Sequence, residues 1–209
     1  MTDIAILGAG GFGREVNLII QQLIKKHNSY NFLGYFDDED KSEEFGKNYL
    51  GNIQTLNKWD SHISIAVAVG NGQTRKKMVD RISNSNVRYA SLISPYAILN
   101  DVMTIGKGSI ICAGANLTTN IRIDNFVVVN LNATIGHDCQ LNDFVSVMPG
   151  ANLAGNVVLE EMSFVGSGAS ILNGLRMDKS SVLGAGAVLT KNLEARQVAI
   201  GVPAKPVKK

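Results

Sequence analysis

Seventeen apolar residues spaced six apart run through the second half of this sequence: Ile93, Leu99, Ile105, Ile111, Leu117, Ile123, Val129, Ile135, Leu141, Val147, Leu153, Leu159, Val165, Ile171, Met177, Leu183 and Leu189. The frame two residues earlier, from Ala97 onward, is restricted too. There Ala97, Ser109, Ala115, Ala133, Cys139, Ala151, Ser163, Ala169, Ser181 and Ala187 are small, and the rest are Ile, Val, Leu or Met. A period of six fits neither an amphipathic helix nor a lone alternating strand. It fits short strands joined by tight turns and stacked as a solenoid, with three six-residue faces closing one triangular coil. The span 93–190 then holds a little over five coils with no looped-out insertion. Gly106, Gly136, Gly166 and Gly184 directly follow the large residue, and Asn100, Asn130, Asn142 and Asn156 also take turn positions. These are residue types expected where a backbone must adopt positive φ.

The first ninety residues obey a different rule. DIAILGAGGFGREVNLIIQQLIKK reads as a buried strand, a glycine-rich turn and a helix with Val16, Ile19, Ile20, Leu23 and Ile24 on one broad face. The glycines Gly8, Gly10, Gly11 and Gly13 suit a backbone that approaches phosphate at a helix N-terminus. NFLGYFDDED ends a second strand at Asp37 and Asp38, which either receive ribose or sugar hydroxyls or form a solvated acidic turn. SIAVAVGNGQTRKKMVDRI is a further strand, a GNG turn and a helix. Gly70 and Asn71 fall where ligands bind in open parallel sheets, while Arg75 reads equally as a phosphate contact or as part of a solvated basic face. Ser94–Pro95 marks the entry to the solenoid, which divides the chain into 1–90 and 91–209. Ninety residues leave room for little more than one mononucleotide-binding half. That argues for one bound nucleotide-like group and against a nicotinamide-linked enzyme.

Twenty basic residues against eighteen acidic ones leave a formal charge of +2. No broad positive field is therefore available to recruit nucleic acid or a membrane surface. Two cysteines, Cys112 and Cys139, make neither a disulfide framework nor a metal knuckle, and read as buried thiols in a reducing compartment. No stretch is apolar and long enough to span a bilayer, and the N-terminal run turns to glycine too soon for a signal peptide. The expected location is the cytoplasm. His27 and His62 read as surface residues of the first domain. Three scattered histidines argue against a three-histidine zinc site, and no metal is expected.

The uninterrupted repeat resembles the left-handed parallel β-helix of the hexapeptide-repeat acyltransferases. The short GxGGxG domain, the FDD turn, VGN followed by RKK, and GHD inside the repeat together resemble the sugar O/N-acetyltransferase family of that superfamily. Its members include UDP-4-amino-sugar (bacillosamine-pathway) and GDP-perosamine N-acetyltransferases and sialic acid O-acetyltransferase-type proteins. The likeness covers essentially the whole chain. It implies a small α/β Rossmann-like N-terminal domain that binds a nucleotide sugar, followed by a left-handed parallel β-helix of hexapeptide repeats. It also implies a homotrimer with sites at subunit interfaces, and a tail, NLEARQVAIGVPAKPVKK, that closes the C-terminal end near the donor. The donor implied is acetyl-CoA and the acceptor a nucleotide-activated 4-amino-4,6-dideoxy sugar. Acetylation of a hydroxyl, as on a sialic acid, is the nearest alternative, and a prism that binds without turnover is the second.

In that family a histidine near mid-prism, followed by an acidic residue, acts in the groove between two subunits; the matching pair is His137 and Asp138. An acceptor ammonium must lose a proton before or during attack on a thioester, and imidazole chemistry suits that work. A carboxylate beside it would orient the ring and stabilise its charged form. By position alone, His137 reads equally as an exposed corner residue without chemistry. Gly155 matches the family's backbone donor to the tetrahedral oxygen. Ser146 stands nine residues past His137, where relatives often carry a second histidine at the thioester. Ser167 and Ala185 match positions lining the coenzyme groove, and the acceptor matches are Gly11, Phe12, Gly13, Asp37, Asp38 and Gly70.

Overall fold

A computed structural model describes residues 1–100 and 103–207. The final two residues of the expected C-terminal cap, Lys208 and Lys209, lie outside the described residues, as do Asp101 and Val102 within the repeat.

The apolar run near the N-terminus forms β1 (Thr2–Leu7), and β2 (Tyr30–Phe36), β3 (Tyr49–Gly51), β4 (Ile63–Val67) and β5 (Val87–Tyr89) join it in one sheet ordered β3-β2-β1-β4-β5. Every pairing is parallel. Residues Ile4, Ala5, Ile6 and Leu7 are all inaccessible, as a strand covered on both faces requires. On one face α1 (Gly11–His27) lays down Val16, Ile19 and Ile20. The other face packs on Ile53 and Leu56 of α3 (Ile53–Asn57), after the short α2 (Ser42–Phe45), and on Met78 and Val79 of α4 (Gly72–Asp80). The order of strands reverses about β1, so the crevice at the C-terminal ends of β1 and β4 is the switch point where such sheets bind ligands.

From Leu92–Ile93 to Val188–Leu189 the chain forms seventeen two-residue strands, and each residue of the six-spaced series is the second residue of one of them. Strands pair with those eighteen residues away, as in Thr134↔Asn152 and Ile135↔Leu153. Three parallel sheets result. The first face runs through Leu92–Ile93, Ile110–Ile111 and Val128–Val129, the second through Ile98–Leu99 and Thr134–Ile135, and the third through Thr104–Ile105 and Gln140–Leu141. The fold is the left-handed parallel β-helix. Its interior is one unbroken apolar column in which Ala115, Ala133, Ala151, Ala169 and Ala187 let the chain turn inward. After the period breaks, Val198–Ile200 extends the first face beside Val182–Leu183, and Lys205–Pro206 pairs back on it antiparallel.

The positive-φ positions fall elsewhere than the sequence suggests. Gly106, Gly136, Gly166 and Gly184 do not have positive φ, and neither do Asn100, Asn130 and Asn142. The left-handed position comes three residues after the large apolar one, from Gly108 and Gly114 through Asn120, Asn132, Asp138 and Asn156 to Gly186. Coil spacing is what holds the other glycines: a β-carbon on Gly136 would stand 2.7 Å from both Ala154 C and Gly155 N of the next coil.

One corner breaks the left-handed turn's preference for Gly, Asn and Asp. Phe126, Phe144 and Met162 take positive φ there, at a cost of roughly 1–2 kcal/mol each. Phe126 and Phe144 stack with ring centroids 4.9 Å apart, and both pack into the core of the N-terminal sheet. Gly72 abuts this ladder so closely that a β-carbon would overlap the Phe144 carbonyl oxygen. Arg75 completes the junction and overturns both expectations for it. It is inaccessible to solvent and is neither a phosphate contact nor a surface charge.

Candidate active site

His137 and Asp138 occupy the corner turn between Thr134–Ile135 of the second face and Gln140–Leu141 of the third. His137 Nδ1 lies 2.7 Å from Asp138 Oδ2. A carboxylate only accepts, so Nδ1 carries a proton, and in the neutral ring Nε2 is left with its lone pair. Asp138 Oδ1 accepts a second hydrogen bond, 2.6 Å long, from the Asn120 amide one coil below. Asn120 first, and His137 second, hold the Asp138 carboxyl below its ordinary range. Asp138 itself has φ of 61°, a conformation that aspartate tolerates better than most residues. The turn and the imidazole partner thus ask for the same residue type.

Gly155 sits one coil above, directly against the ring. A β-carbon there would overlap His137 Nε2 and Cε1, so glycine makes room for the imidazole. The Gly155 carbonyl accepts from Gly174, while its N–H has no acceptor among the described residues. A free donor and a free imidazole nitrogen therefore stand side by side. The His137 side chain is 54 % exposed, so a reacting group has access to the imidazole, while Gly155 is buried beneath the ring. This corner can take a proton from a nucleophile and donate a hydrogen bond to a developing oxyanion.

The N-terminal sheet forms a second centre. A cleft of about 410 Å³ at the switch point is lined by Gly8, Gly10, Gly11, Phe12, Asp37, Lys41 and Gly70, among others. Four of the expected acceptor residues, Gly11, Phe12, Asp37 and Gly70, thus share one cavity. Asp37 is fixed there by Ala9 N at 2.7 Å on Oδ2 and Glu39 N at 3.0 Å on Oδ1. Helix α1 starts at Gly11 with Gly10 as its N-cap and no side-chain cap, so its first N–H groups, beside the cleft-lining Gly10, Gly11 and Phe12, meet no competing acceptor from that residue. A larger cleft, about 610 Å³, opens beside α1 between Arg14, Leu18, Tyr35 and Phe45, and shares only Gly11 with the expected set.

Other expected residues stand apart. Gly13 is buried under the loop, where a β-carbon would overlap the Gly8 carbonyl, so it serves helix–strand packing and does not line the cleft. Asp38 is bound by the Arg81 guanidinium through both carboxylate oxygens, which draws its carboxyl down and away from a ligand. Asn71 caps α4, accepting from Thr74 N at 2.9 Å. Ser146 is inaccessible: its hydroxyl donates to Gly70 O at 2.7 Å and accepts from Arg75 Nη2 at 3.1 Å, which leaves no surface for a thioester. Ser167 and Ala185 are exposed, but on the corner between the first and second faces, a different corner from that of His137. His27 and His62 are exposed on the N-terminal domain.

Both thiols are buried, and burial pushes Cys112 up to about 12. No cluster of metal-ligating side chains occurs among the described residues, and no described helix is long and apolar enough to cross a membrane.

Residues 3–82 match the family model described as the PglD N-terminal domain. Among solved structures, the acetyltransferase domain of PglB from Neisseria gonorrhoeae FA1090, in complex with acetyl coenzyme A, is 31% identical. The match covers 98% of both chains with a TM-score of 0.89. Among curated proteins, the UDP-N-acetylbacillosamine N-acetyltransferase of Bacillus subtilis (strain 168) is 32% identical over 54% of this chain. The GDP-perosamine N-acetyltransferase of Escherichia coli O157:H7 is 31% identical over 64% of it. These stretches span 52% and 61% of the two curated relatives' own length.

Proposed function

This chain belongs to the sugar O/N-acetyltransferase family of the hexapeptide-repeat superfamily, and on that premise we propose that it moves the acetyl group of acetyl-CoA to the amine of a nucleotide-linked 4-amino-4,6-dideoxy sugar. The observation that carries the reading is the His137 corner: Nδ1 held by Asp138, Nε2 unpaired, and a free Gly155 N–H beside it. Nε2 takes a proton from the acceptor nitrogen as that nitrogen bonds to the thioester carbon. The Gly155 N–H receives the oxyanion, the C–S bond breaks, and the coenzyme leaves as a thiol with the proton from His137. Amine acceptors are favoured over hydroxyls by the names of the relatives, both curated ones being N-acetyltransferases of nucleotide sugars. The nucleotide occupies the switch-point cleft, with phosphate at the start of α1 and ribose at Asp37.

The cleft rests on the first face and on the corner carrying Phe144, whereas His137 stands on another corner of the same prism. This separation supports a homotrimer in which one subunit's cleft serves the neighbour's His137, with Ser167 and Ala185 on the groove that receives the coenzyme. A cytoplasmic setting agrees with two free, buried thiols.

The test is release of CoA thiol with a panel of UDP-, GDP- and dTDP-linked 4-amino sugars and free sialic acid. Turnover with one nucleotide sugar is expected, giving a product stable to mild base; a base-labile product would make the bond an ester and overturn N-acetylation. His137→Ala is expected to lower kcat/KM by about 10²–10⁴-fold. Unchanged kcat/KM in a folded oligomer would remove His137 from the mechanism.

A further inference from the structure

Arg75 and Ser146 take no part in the chemistry just described, yet both are inaccessible to solvent and bonded to each other. The guanidinium's Nε donates to Phe126 O at 2.8 Å, Nη1 to Val69 O at 2.6 Å and Gly70 O at 3.2 Å. Nη2 donates to Phe144 O and Val145 O, each at 3.0 Å, and to Ser146 Oγ at 3.1 Å. None of these acceptors is a carboxylate. A buried cation without a counter-ion is expensive to keep, and a hydrophobic residue would fill the space with far less demand on its surroundings. Only a planar fork reaches backbone carbonyls of two separate substructures at once.

Those substructures define what the fork accomplishes. Val69 and Gly70 line the switch-point cleft, while Phe126, Phe144, Val145 and Ser146 belong to the prism. Gly70 O receives both Arg75 Nη1 and the Ser146 hydroxyl, so the cleft rim is held from two directions. Ser146 lies nine residues after His137, half of one eighteen-residue coil, so the rim is pinned at the level of the catalytic corner. We propose that Arg75 and Ser146 are positioning residues that set the height of the acceptor cleft along the prism, so that the amine arrives level with the coil bearing His137. The inference rests on the acetyl-transfer reading above. It assigns specificity for acceptor length to the junction and not to the cleft walls.

Ser146→Ala removes one hydroxyl from a site whose shape is otherwise kept. The expected result is an acceptor KM raised about fivefold with the acetyl-CoA KM and kcat within about twofold of wild type. Arg75→Lys keeps the charge but loses the fork, and should raise the acceptor KM further; if it fails to fold, Ser146→Ala carries the test alone. Unchanged constants in Ser146→Ala would overturn the proposal, as would a parallel loss in kcat and both KM values, which is what simple destabilisation gives. Hydrogen exchange separates this from the functional reading. Were the wild type silent with every nucleotide sugar, the acetyl-transfer reading would fall. Faster exchange confined to 68–74 in Ser146→Ala would still support the clamp, and no change there would overturn it.

Discussion

The two regions of this protein hold themselves together in opposite ways. In the prism each coil repeats the one below: an inward Ile, Leu, Val or Met, a small or aliphatic residue two positions before it, and a left-handed turn. Stability is shared among near-equivalent contacts between neighbouring coils. The N-terminal sheet has no such redundancy. Gly13 under the Gly8 carbonyl, Gly34 against Asn48 and Gly72 against Phe144 are each single places where one atom too many has nowhere to go. A repeat spreads the consequences of a substitution, whereas an aperiodic domain concentrates them.

The sharpest way to break that contrast is Gly13→Val, which drives a side chain into the Gly8 carbonyl and should cost more than about 4 kcal/mol. Trp59, the sole tryptophan, packs edge-on against Phe36 in this domain and reports its unfolding by fluorescence. A loss below about 1 kcal/mol would mean that the glycine loop rearranges freely. Next in size, Leu141→Ala opens the prism interior and should cost about 2–5 kcal/mol in urea unfolding followed by circular dichroism. If the junction couples the regions, the Trp59 midpoint moves with it; a stationary midpoint would show two independent units.

Thiol labelling gives a finer comparison. Cys112 packs at the seam between prism and sheet, and Cys139 lies inside the prism. Neither should react with an aromatic disulfide reagent in the native protein, Cys112 because burial both hides it and lifts it to about 12. Release of one thiol before global unfolding, identified as Cys112 by mass spectrometry, would mean the sheet lifts off first. The smallest effect concerns Asp138. Its folded carboxyl titrates below the ordinary value, so its contribution to stability is present above the unfolded value and disappears as pH falls through the folded one. Asn120→Ala removes the larger cause and should move that titration upward, as read from the carboxyl carbon by NMR. No movement would assign the effect to His137 alone.

The same contrast decides what was legible in the sequence. The strands of the prism were readable to the residue, because every member of the six-spaced series lands on the same strand position. The pairing of His137 with Asp138 came from the resemblance to the sugar acetyltransferases; the period alone placed His137 just outside the prism core. The turn phase was misassigned: glycine serves both positive φ and close coil contact, and composition does not separate the two. In the N-terminal half, the strand–turn–helix pattern pointed to Gly11, Asp37 and Gly70 and the family resemblance added Phe12, and all four line one cleft. It could not reveal that Arg81 would claim Asp38, or that Arg75 would turn inward. The first depends on a partner 43 residues away and the second on prism partners 51 to 71 residues away, and local pattern carries no trace of them. Ser146 was read through its likeness to a coenzyme contact, and its hydroxyl had already been taken by the junction.

The bulky left-handed corner at Phe126, Phe144 and Met162 has a use beyond this chain. At the left-handed position the prism's other two corner columns keep to Gly, Asn and Asp among the described residues, whereas the column carrying Phe126 and Phe144 holds larger side chains. Where Phe or Met occupies that column in consecutive coils, a neighbouring body must be lending the missing energy. Such a column works as an address written into the repeat, naming both the edge and the height at which cargo is mounted. It can be scanned for in any solenoid sequence once the phase of the repeat is known.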